Sequence, residues 1–215
     1  MTILVAGATG LAGSAIKAEF EKKVEKVIGI SSQDINLLDR NATFEYINEL
    51  KPRVVIDAAA IVGGIGANSN FPAEFLSKNI QIQTNLMDAS HNAGVQKFLF
   101  LSSSCVYPRN CPQPIKEEYL LTGPLEQTNS AYAIAKISGM ELIKSYRRQF
   151  AHKWISVMPT NLYGPNDNFD LESSHVFPAL IRKFIEAKQS GAKSVNLWGS
   201  GKPKREFLHS NDLAK

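Results

Sequence analysis

The segment ILVAGATGLAG at residues 3–13 places four apolar residues directly before three glycines, Gly7, Gly10 and Gly13. The apolar run predicts a buried strand and the residues after it predict a helix, so the glycines occupy the turn between the two. Glycine allows the backbone to reverse tightly, and near a helix start it lets amides approach a pyrophosphate. The GxxGxxG spacing therefore predicts a dinucleotide-binding turn, with a purely structural glycine turn as the alternative.

Short apolar, β-branched runs recur along the chain and alternate with helix-like apolar patterns. The runs are nearly continuous in apolar residues, which is typical of strands buried on both faces of a parallel sheet. Right-handed crossovers then give an α/β fold with a doubly wound parallel sheet. The predicted strands cover residues 3–6, 26–30, 53–58, 97–101 and 154–158, and the predicted helices cover residues 11–22, 42–50, 73–92, 130–150 and 176–188.

The character of the chain changes after the fifth predicted strand, where residues 159–166 are rich in Pro, Gly and Asn. We therefore expect a nucleotide-binding Rossmann domain at residues 1–160 and the beginning of a substrate-binding region at residues 161–215. The last residues, 211–215, look like the start of a helix without a stop signal. This ending predicts a truncated chain.

Composition excludes several classes of protein. With 44% hydrophobic and 20% charged residues, the chain is typical of a globular protein. Its net charge of +4 comes without a run of five Lys or Arg, so we expect no nucleic-acid partner. Cys105 and Cys111 lack neighbours at metal-ligand spacing, which argues against a metal site and a disulfide framework. No signal peptide or membrane-spanning stretch is evident, so we expect a cytoplasmic protein without membrane attachment.

The end of the second predicted strand bears on the choice of nucleotide. Residues 29–33 carry no acidic side chain, whereas NAD-preferring proteins usually offer a carboxylate to the adenosine ribose here. Ser31 and Ser32 could instead donate hydrogen bonds to a 2′-phosphate, which favours NADP modestly. Asp39 is a candidate neighbour of the adenine, with a helix cap as an equal alternative. Ala59 lies in a run of small residues that would let a cofactor approach the backbone, with tight packing as the alternative.

A second constellation lies on the helix predicted at residues 130–150. Tyr132 and Lys136 are four residues apart and therefore share one helix face. A nearby ammonium lowers a tyrosine pKa from its usual value of about 10, which would make Tyr132 an acid or base near neutral pH. Ser103 follows the fourth predicted strand at the edge where open α/β sheets bind ligands, and it supplies a hydroxyl partner. An accidental YxxxK pair on an exposed helix is the alternative.

The glycine turn, the serine after the fourth strand and the YxxxK pair together resemble the extended short-chain dehydrogenase/reductases, and the resemblance covers essentially the whole chain. Within this superfamily the chain is similar to the GDP-L-fucose synthase family. The motifs that carry this similarity are VGGI at residues 62–65, SSCVYP at 103–108, MPTNLYGP at 158–165, DNF at 167–169, SHV at 174–176 and WGSG at 198–201.

The resemblance implies conversion of GDP-4-keto-6-deoxymannose to GDP-L-fucose with NADPH, by epimerisation at C3 and C5 and reduction at C4. It implies that Cys105 and His175 exchange the epimerisation protons, because their usual pKa values of about 8.5 and 6.5 bracket neutrality. It also implies that Ser103 and Tyr132 hold the C4 oxygen, that Tyr132 protonates it, and that Lys136 binds the nicotinamide ribose. A small buried cysteine and a structural histidine are the alternatives for Cys105 and His175.

Binding residues also follow from the resemblance. For NADP they are Gly7, Ala8, Thr9, Gly10, Leu11, Ala12, Gly13, Ser32, Asp39, Ala59, Leu101, Ser102, Lys136, Pro159, Thr160, Asn161 and Leu162. For the GDP-sugar they are Asn161, Lys183, Trp198 and Arg205, with turn formation, exposed packing and surface charge as the alternatives. Members of the family usually form homodimers through the helices predicted here at residues 73–92 and 130–150.

Three departures from the family pattern weaken these expectations. Thr9 and Ser32 stand where some relatives carry arginines for the 2′-phosphate, and Lys183 stands where relatives carry an arginine with bidentate geometry. The family also continues for roughly a hundred residues past the point where this chain ends, on the scale of a small domain. Catalysis by this chain alone could therefore be impaired.

Two other functions stay open as alternatives. One is another NAD(P)-dependent nucleotide-sugar epimerase or dehydratase, although dehydratases of this superfamily use acidic residues after the fourth strand, where Ser103, Ser104 and Cys105 offer no carboxylate. The other is a truncated, non-catalytic nucleotide-binding protein, which would bind NADPH without turning it over.

Overall fold

The computed structural model describes residues 1–24, 26–171, 173–197 and 199–215. Its elements in chain order are β1 (Thr2–Ala6), α1 (Leu11–Glu21), β2 (Lys26–Ile30), α2 (Arg40–Leu50), β3 (Val54–Asp57), α3 (Ile65–Asn70), α4 (Pro72–Asn92), β4 (Lys97–Leu101), α5 (Ser130–Phe150), β5 (Ile155–Val157), β6 (Asn161–Tyr163), α6 (Val176–Ser190), β7 (Phe207–His209) and α7 (Ser210–Ala214). Three short 3-10 turns lie at Ser104–Val106, Glu117–Tyr119 and Gln127–Asn129.

The main sheet has five parallel strands in the order β2-β1-β3-β4-β5. This order confirms the predicted doubly wound α/β fold, and the ends of the predicted strands and main helices agree with the structure to within two residues. The chain leaves β1 towards β2 and then returns to the other side of β1 to form β3. The topological switch point, where such sheets bind ligands, therefore lies at the carboxyl ends of β1 and β3.

The sheet is covered on both faces, as the continuous apolar strands predict. On one face Phe98, Phe100 and Trp154 anchor a large buried cluster that α2, α4 and α5 cover. On the other face Ile3 and Val5 belong to a second cluster, against which α1 and α7 pack. Alternate residues of β1 enter the two clusters, so this strand is buried on both faces of the sheet.

The sequence patterns missed a second, two-stranded parallel sheet formed by β6 and β7. Each strand is three residues long, too short to show a periodic pattern. The side chains of Thr160 and Asn161 both donate hydrogen bonds to the carbonyl oxygen of Glu206, at 2.9 and 3.0 Å. The segment after residue 160 thus begins with this small sheet, and the division of the chain at that residue stays a prediction.

Within the described part of the chain, no helix has both the length and the apolar character needed to cross a membrane.

Candidate active site

The glycine turn after β1 is shaped by close backbone packing. Gly7 has a φ of 74°, and a Cβ at this position would lie 2.6 Å from the carbonyl oxygen of Ala58. A Cβ at Gly13 would lie 2.1 Å from the carbonyl oxygen of Gly7. Contacts below 3 Å exclude any side chain, so both positions require glycine for the backbone to fold this way. The pattern therefore reflects a true structural requirement of the turn.

The helix that follows this turn begins without a side-chain cap. Gly10 is the N-cap residue of α1, and its amide donates to the carbonyl oxygen of Gly7 at 3.1 Å. Because Gly10 has no side chain, it cannot occupy the amides of the first helical turn, where the helix dipole favours an anion. The bare turn and the uncapped helix start together fit the pyrophosphate of a dinucleotide.

The loop after β2 contains a carboxylate, Asp34, just past the acid-free residues 29–33. The Asp34 carboxylate folds back and accepts hydrogen bonds from the Ser31 amide and hydroxyl, at 2.8 and 2.7 Å. These hydrogen bonds hold the pKa of Asp34 below its usual value, so it carries a negative charge. The Ser31 hydroxyl is engaged with this carboxylate, while Ser32 is exposed. Residues 29–33 thus carry no acidic side chain, as predicted, but a carboxylate lies one residue further along the loop.

Asp39 caps α2 in this structure. Its carboxylate accepts a hydrogen bond from the Ala42 amide at 3.0 Å, which is the N-cap role given above as the alternative to an adenine contact. This cap also explains why α2 begins at Arg40, two residues earlier than the apolar pattern indicates. Its contact with a cofactor stays a prediction.

The chemical groups after β4 lie in a 3-10 turn. The Ser103 hydroxyl accepts a hydrogen bond from the Cys105 amide at 3.4 Å, and the Ser104 amide donates to the carbonyl oxygen of Pro159 at 3.2 Å. Ser102 is buried and donates to the sulfur of Met140 on α5. Ser103 and Cys105 are partly buried. The turn therefore holds a hydroxyl and a thiol at the carboxyl edge of the sheet, next to the end of β5.

Helix α5 brings Tyr132 and Lys136 to the same edge. The Lys136 side chain is only 3% exposed, and its Nζ donates a 2.8 Å hydrogen bond to the carbonyl oxygen of Leu101, the last residue of β4. Nζ also lies 5.7 Å from the centroid of the Tyr132 ring and 4.6 Å from that of Phe100. The edge of Phe75 packs against Tyr132 with the ring centroids 6.3 Å apart. Tyr132 and Lys136 thus share one helix face, as their spacing predicts.

The electrostatic expectation for Tyr132 is wrong. Burial raises the pKa of Tyr132 well above its usual value, and negative charge at Cys105 and Asp57 raises it further. Burial also raises the pKa of the Cys105 thiol. Lys136 does not reverse the effect on Tyr132, because its own pKa is lowered by burial. At neutral pH the centre therefore contains a neutral phenol and a neutral thiol.

The sequence patterns overlooked Asp57, which ends β3. It is fully buried, and one of its oxygens accepts a 3.1 Å hydrogen bond from the Ala59 amide, while Oδ2 has no hydrogen-bond partner. Burial raises its pKa to about 6, against the opposing effects of Lys136 and the Ala59 amide. Its place in an otherwise apolar strand was the available signal, because buried strands rarely contain an unpaired carboxylate.

His175 is the N-cap residue of α6, and its side chain is exposed. The preceding residues pack on the VGGI motif, with the Gly64 amide donating to the carbonyl oxygen of Ser173 at 2.8 Å. The buried amide of Asn68 donates to the carbonyl oxygens of Gly63 and Gly64 and so fixes that motif. Among the described residues no hydrogen bond joins His175 to Cys105, so their pairing stays a prediction.

Three other predicted substrate contacts, Asn161, Lys183 and Arg205, lie on β6, on α6 and just before β7. Lys183 is half-buried on α6, and the exposed Arg205 donates to the carbonyl oxygen of Lys204 at 2.8 Å. Asn161 is engaged with Glu206, as described above. Trp198 lies outside the described residues. The contacts of these residues with a substrate stay predictions.

The fold is that of a doubly wound, Rossmann-like α/β protein, with Ser103 and Lys136 at the carboxyl end of β4. A family model described as the NAD dependent epimerase/dehydratase family matches residues 3–215, and the chain belongs to this family.

Individual relatives are similar over nearly the whole chain. It is 51% identical to the putative GDP-L-fucose synthase 2 of Arabidopsis thaliana and 50% identical to the GDP-L-fucose synthase of Sinorhizobium fredii, in both cases over 99% of this chain. A solved structure of a GDP-L-fucose synthetase from Naegleria fowleri bound to NADP matches with a TM-score of 0.88 and 38% identity, covering 99% of this chain and 70% of that one. The chain spans 65% and 68% of the length of the two curated relatives.

The close approach at Gly7 can be tested against Gly94, which has a similar φ of 72° but no atom within 4 Å of an added Cβ. Both alanine substitutions introduce a left-handed alanine, at a cost of about 1 kcal/mol. Only Gly7→Ala also forces backbone apart, so we expect it to lower the free energy of unfolding by roughly 3 kcal/mol, as in overpacked cores. Urea unfolding measures this difference.

Binding of a nicotinamide dinucleotide, followed by its fluorescence, should be lost in Gly7→Ala and unchanged in Gly94→Ala. Equal stability and equal nucleotide binding of the two variants would show that the close contact between Gly7 and the Ala58 backbone matters for neither property.

Proposed function

We propose that this chain carries the cofactor-binding and catalytic centre of an NADPH-dependent enzyme that converts GDP-4-keto-6-deoxy-D-mannose to GDP-L-fucose. The reaction comprises epimerisation at C3 and C5 and reduction at C4. The observation that carries the proposal is the hydrogen bond of Lys136 to the carbonyl oxygen of Leu101 at the end of β4, with the centroid of the Tyr132 ring 5.7 Å from the same Nζ. The names of the relatives at about half identity supply the product, GDP-L-fucose, and the resemblance described above supplies the substrate.

The turn after β1 and the neighbouring strand ends would hold the cofactor. Amides at the start of α1 face its pyrophosphate, and Ala58 and Ala59 allow it to lie close to β3. The further contacts that we propose are those expected from the sequence at Ser32, Leu101, Ser102, Lys136 and residues 159–162. When bound, NADPH supplies the hydride that reduces C4.

Tyr132 acts as the acid in the reduction. Its raised pKa keeps the phenol protonated at neutral pH, so the hydroxyl can donate a hydrogen bond to the C4 oxygen and then its proton. Ser103 holds the same oxygen from the turn after β4, and its hydroxyl already faces the Cys105 amide. Lys136 binds the ribose next to the nicotinamide. Donors on the C4 oxygen also stabilise the enolate that forms during epimerisation.

Epimerisation requires proton removal on one face of the sugar and proton delivery on the other. We assign these roles to Cys105 and His175. The raised pKa of Cys105 makes its thiol the proton donor before the first exchange, and the exposed His175 then serves as the base.

We also propose which residues bind the GDP-sugar and where in the cell the chain works. Asn161, Lys183, Trp198 and Arg205 bind the GDP-sugar, with a guanidinium suited to a phosphate and an indole to a base or sugar face. The chain works in the cytoplasm on this small-molecule substrate. These assignments rest on the family pattern and on the position of the small sheet beside the catalytic edge.

Two substitutions separate the two chemical steps. Tyr132→Phe removes the acid and should lower NADPH oxidation by roughly a hundredfold or more, while Cys105→Ser should block proton exchange at C3 and C5 more than hydride transfer. Absorbance of the reduced nicotinamide measures reduction, and incorporation of solvent deuterium into the sugar measures epimerisation. Tyr46→Phe, on α2, is the matched control and should retain wild-type rates. Substrate-dependent oxidation that survives Tyr132→Phe would refute the assignment of the acid.

The loop after β2 predicts weak selection for the 2′-phosphate, because Ser32 supplies no cation and the charged Asp34 lies next to Ser31. Ser32→Arg should therefore raise the NADPH-to-NADH ratio of kcat/KM by roughly tenfold, which is the order expected for one charge-assisted hydrogen bond. Ser190→Arg, at the end of α6, makes the same change of charge away from this loop and should leave the ratio unchanged. No rise in Ser32→Arg would place the 2′-phosphate elsewhere.

We also propose that the chain forms a homodimer through α4 and α5, which pack side by side. Ile134 on α5 is 47% exposed although it is apolar, as expected of a residue that contacts a partner. Ile134→Glu should shift the mass measured by light scattering from dimer to monomer, whereas Ile185→Glu on α6, equally apolar and 50% exposed, should not. A wild-type protein that is monomeric at all concentrations would contradict this proposal.

A further inference from the structure

A buried carboxylate lies next to the proposed catalytic centre without a role in the reaction described above. Asp57 is 0% exposed and only its Oδ1 has a partner, the Ala59 amide. Its Oδ2 is fully buried and accepts no hydrogen bond. An isolated buried carboxylate is costly, so a compensating charge nearby is expected.

Lys136 is the opposite charge in the same region. In the sheet register Asp57 pairs with Phe100, and the next residue of β4, Leu101, provides the carbonyl oxygen that anchors the Lys136 Nζ. The ammonium has three donors, of which the described contacts use one. The two groups are not in direct contact but act on one another: the ammonium lowers the pKa of Asp57, and the carboxylate raises that of Lys136.

We propose that Asp57 is a positioning residue of the catalytic centre, whose buried negative charge keeps Lys136 protonated and held against the Leu101 carbonyl. Lys136 can then serve Tyr132 and the cofactor ribose. This inference rests on the proposed function. Tyr132 and Cys105 are the other titratable groups facing Asp57 and Lys136, and the strand neighbours of Asp57, Ala6 and Phe100, carry no charge.

The direction of the pH effect follows from these neighbours. Burial raises the pKa of Asp57 to about 6, so the carboxylate is charged above that pH. Among the groups of the centre, Tyr132 and Cys105 have raised pKa values and Lys136 has a lowered one. The alkaline change that Asp57 opposes is the loss of charge of Lys136, because the buried carboxylate raises the pKa of that ammonium. Without Asp57 that loss occurs at lower pH.

The test compares wild-type protein with Asp57→Asn, which keeps the shape of the side chain and an oxygen for the Ala59 amide. For each we would measure the pH profiles of kcat and of NADPH binding, the latter by fluorescence without the sugar substrate. We expect the alkaline limb of both profiles to move down by roughly one pH unit or more in the variant, as for loss of an opposite charge at close range. Identical alkaline limbs would overturn the proposal.

Asp88→Asn is the matched control, because Asp88 on α4 pairs with Arg40 on α2 and Tyr146 on α5 and not with Lys136. It should leave both profiles unchanged, and a shift equal to that of Asp57→Asn would refute a specific role of Asp57. Asp57→Leu removes the same charge with an apolar side chain of similar size. It should show the same shift, and a wild-type profile in this variant would also refute the proposal.

A measurement on the wild-type protein covers the case in which neither Asp57 variant folds. NMR of isotope-labelled lysine should show the Lys136 side-chain signal changing near pH 6, as Asp57 takes up its proton. A Lys136 signal that does not change there would overturn the proposal. Wild-type protein that binds NADPH but does not turn over the GDP-sugar would refute the proposed function alone, since the binding profiles and the NMR titration still test Asp57.

Discussion

The candidate site depends on the burial of one ammonium group, that of Lys136, which is held by a backbone carbonyl at the end of β4. Such a bond requires α5 to lie very close to the sheet. The helix achieves this with small residues: Ala133 and Ala135 are fully buried, and a Cβ at Gly139 would lie 2.6 Å from the Phe100 ring. Lys136 can therefore reach the ligand-binding edge only because α5 packs closely against the sheet.

The same burial sets the charge state of the surrounding groups. A low-dielectric site disfavours every charged form, so the pKa values of Tyr132, Cys105 and Asp57 rise while that of Lys136 falls. A single lysine cannot offset the burial of a phenol that also faces acidic groups. The result is a centre equipped to donate protons, which is what reduction of a ketone requires of its acid.

Much of this arrangement could be predicted from the sequence, because the strands, the glycine turn and the Tyr132–Lys136 pair depend on local spacing. The features that could not be predicted depend on three-dimensional contacts. The small sheet joins three-residue strands that are more than 40 residues apart, Asp34 reaches Ser31 only through a tight turn, and Asp57 becomes informative only once its burial is known. Spacing predicted that Tyr132 and Lys136 share a helix face but not the direction of the Tyr132 pKa shift, which burial raises.

The cofactor turn and the lysine anchor are parts of one structure, because both depend on the pairing of β3 with its neighbours. The register that pairs Ala6 with Asp57 brings Gly7 against Ala58, and the register that pairs Asp57 with Phe100 sets Asp57 beside the carbonyl that binds Lys136. A slip of β3 by one residue would turn Asp57 to the opposite face of the sheet and disturb the glycine turn. Strand register thus couples nucleotide binding to the electrostatics of the catalytic centre, and the apolar residues on both faces of β1 and β3 stabilise that register.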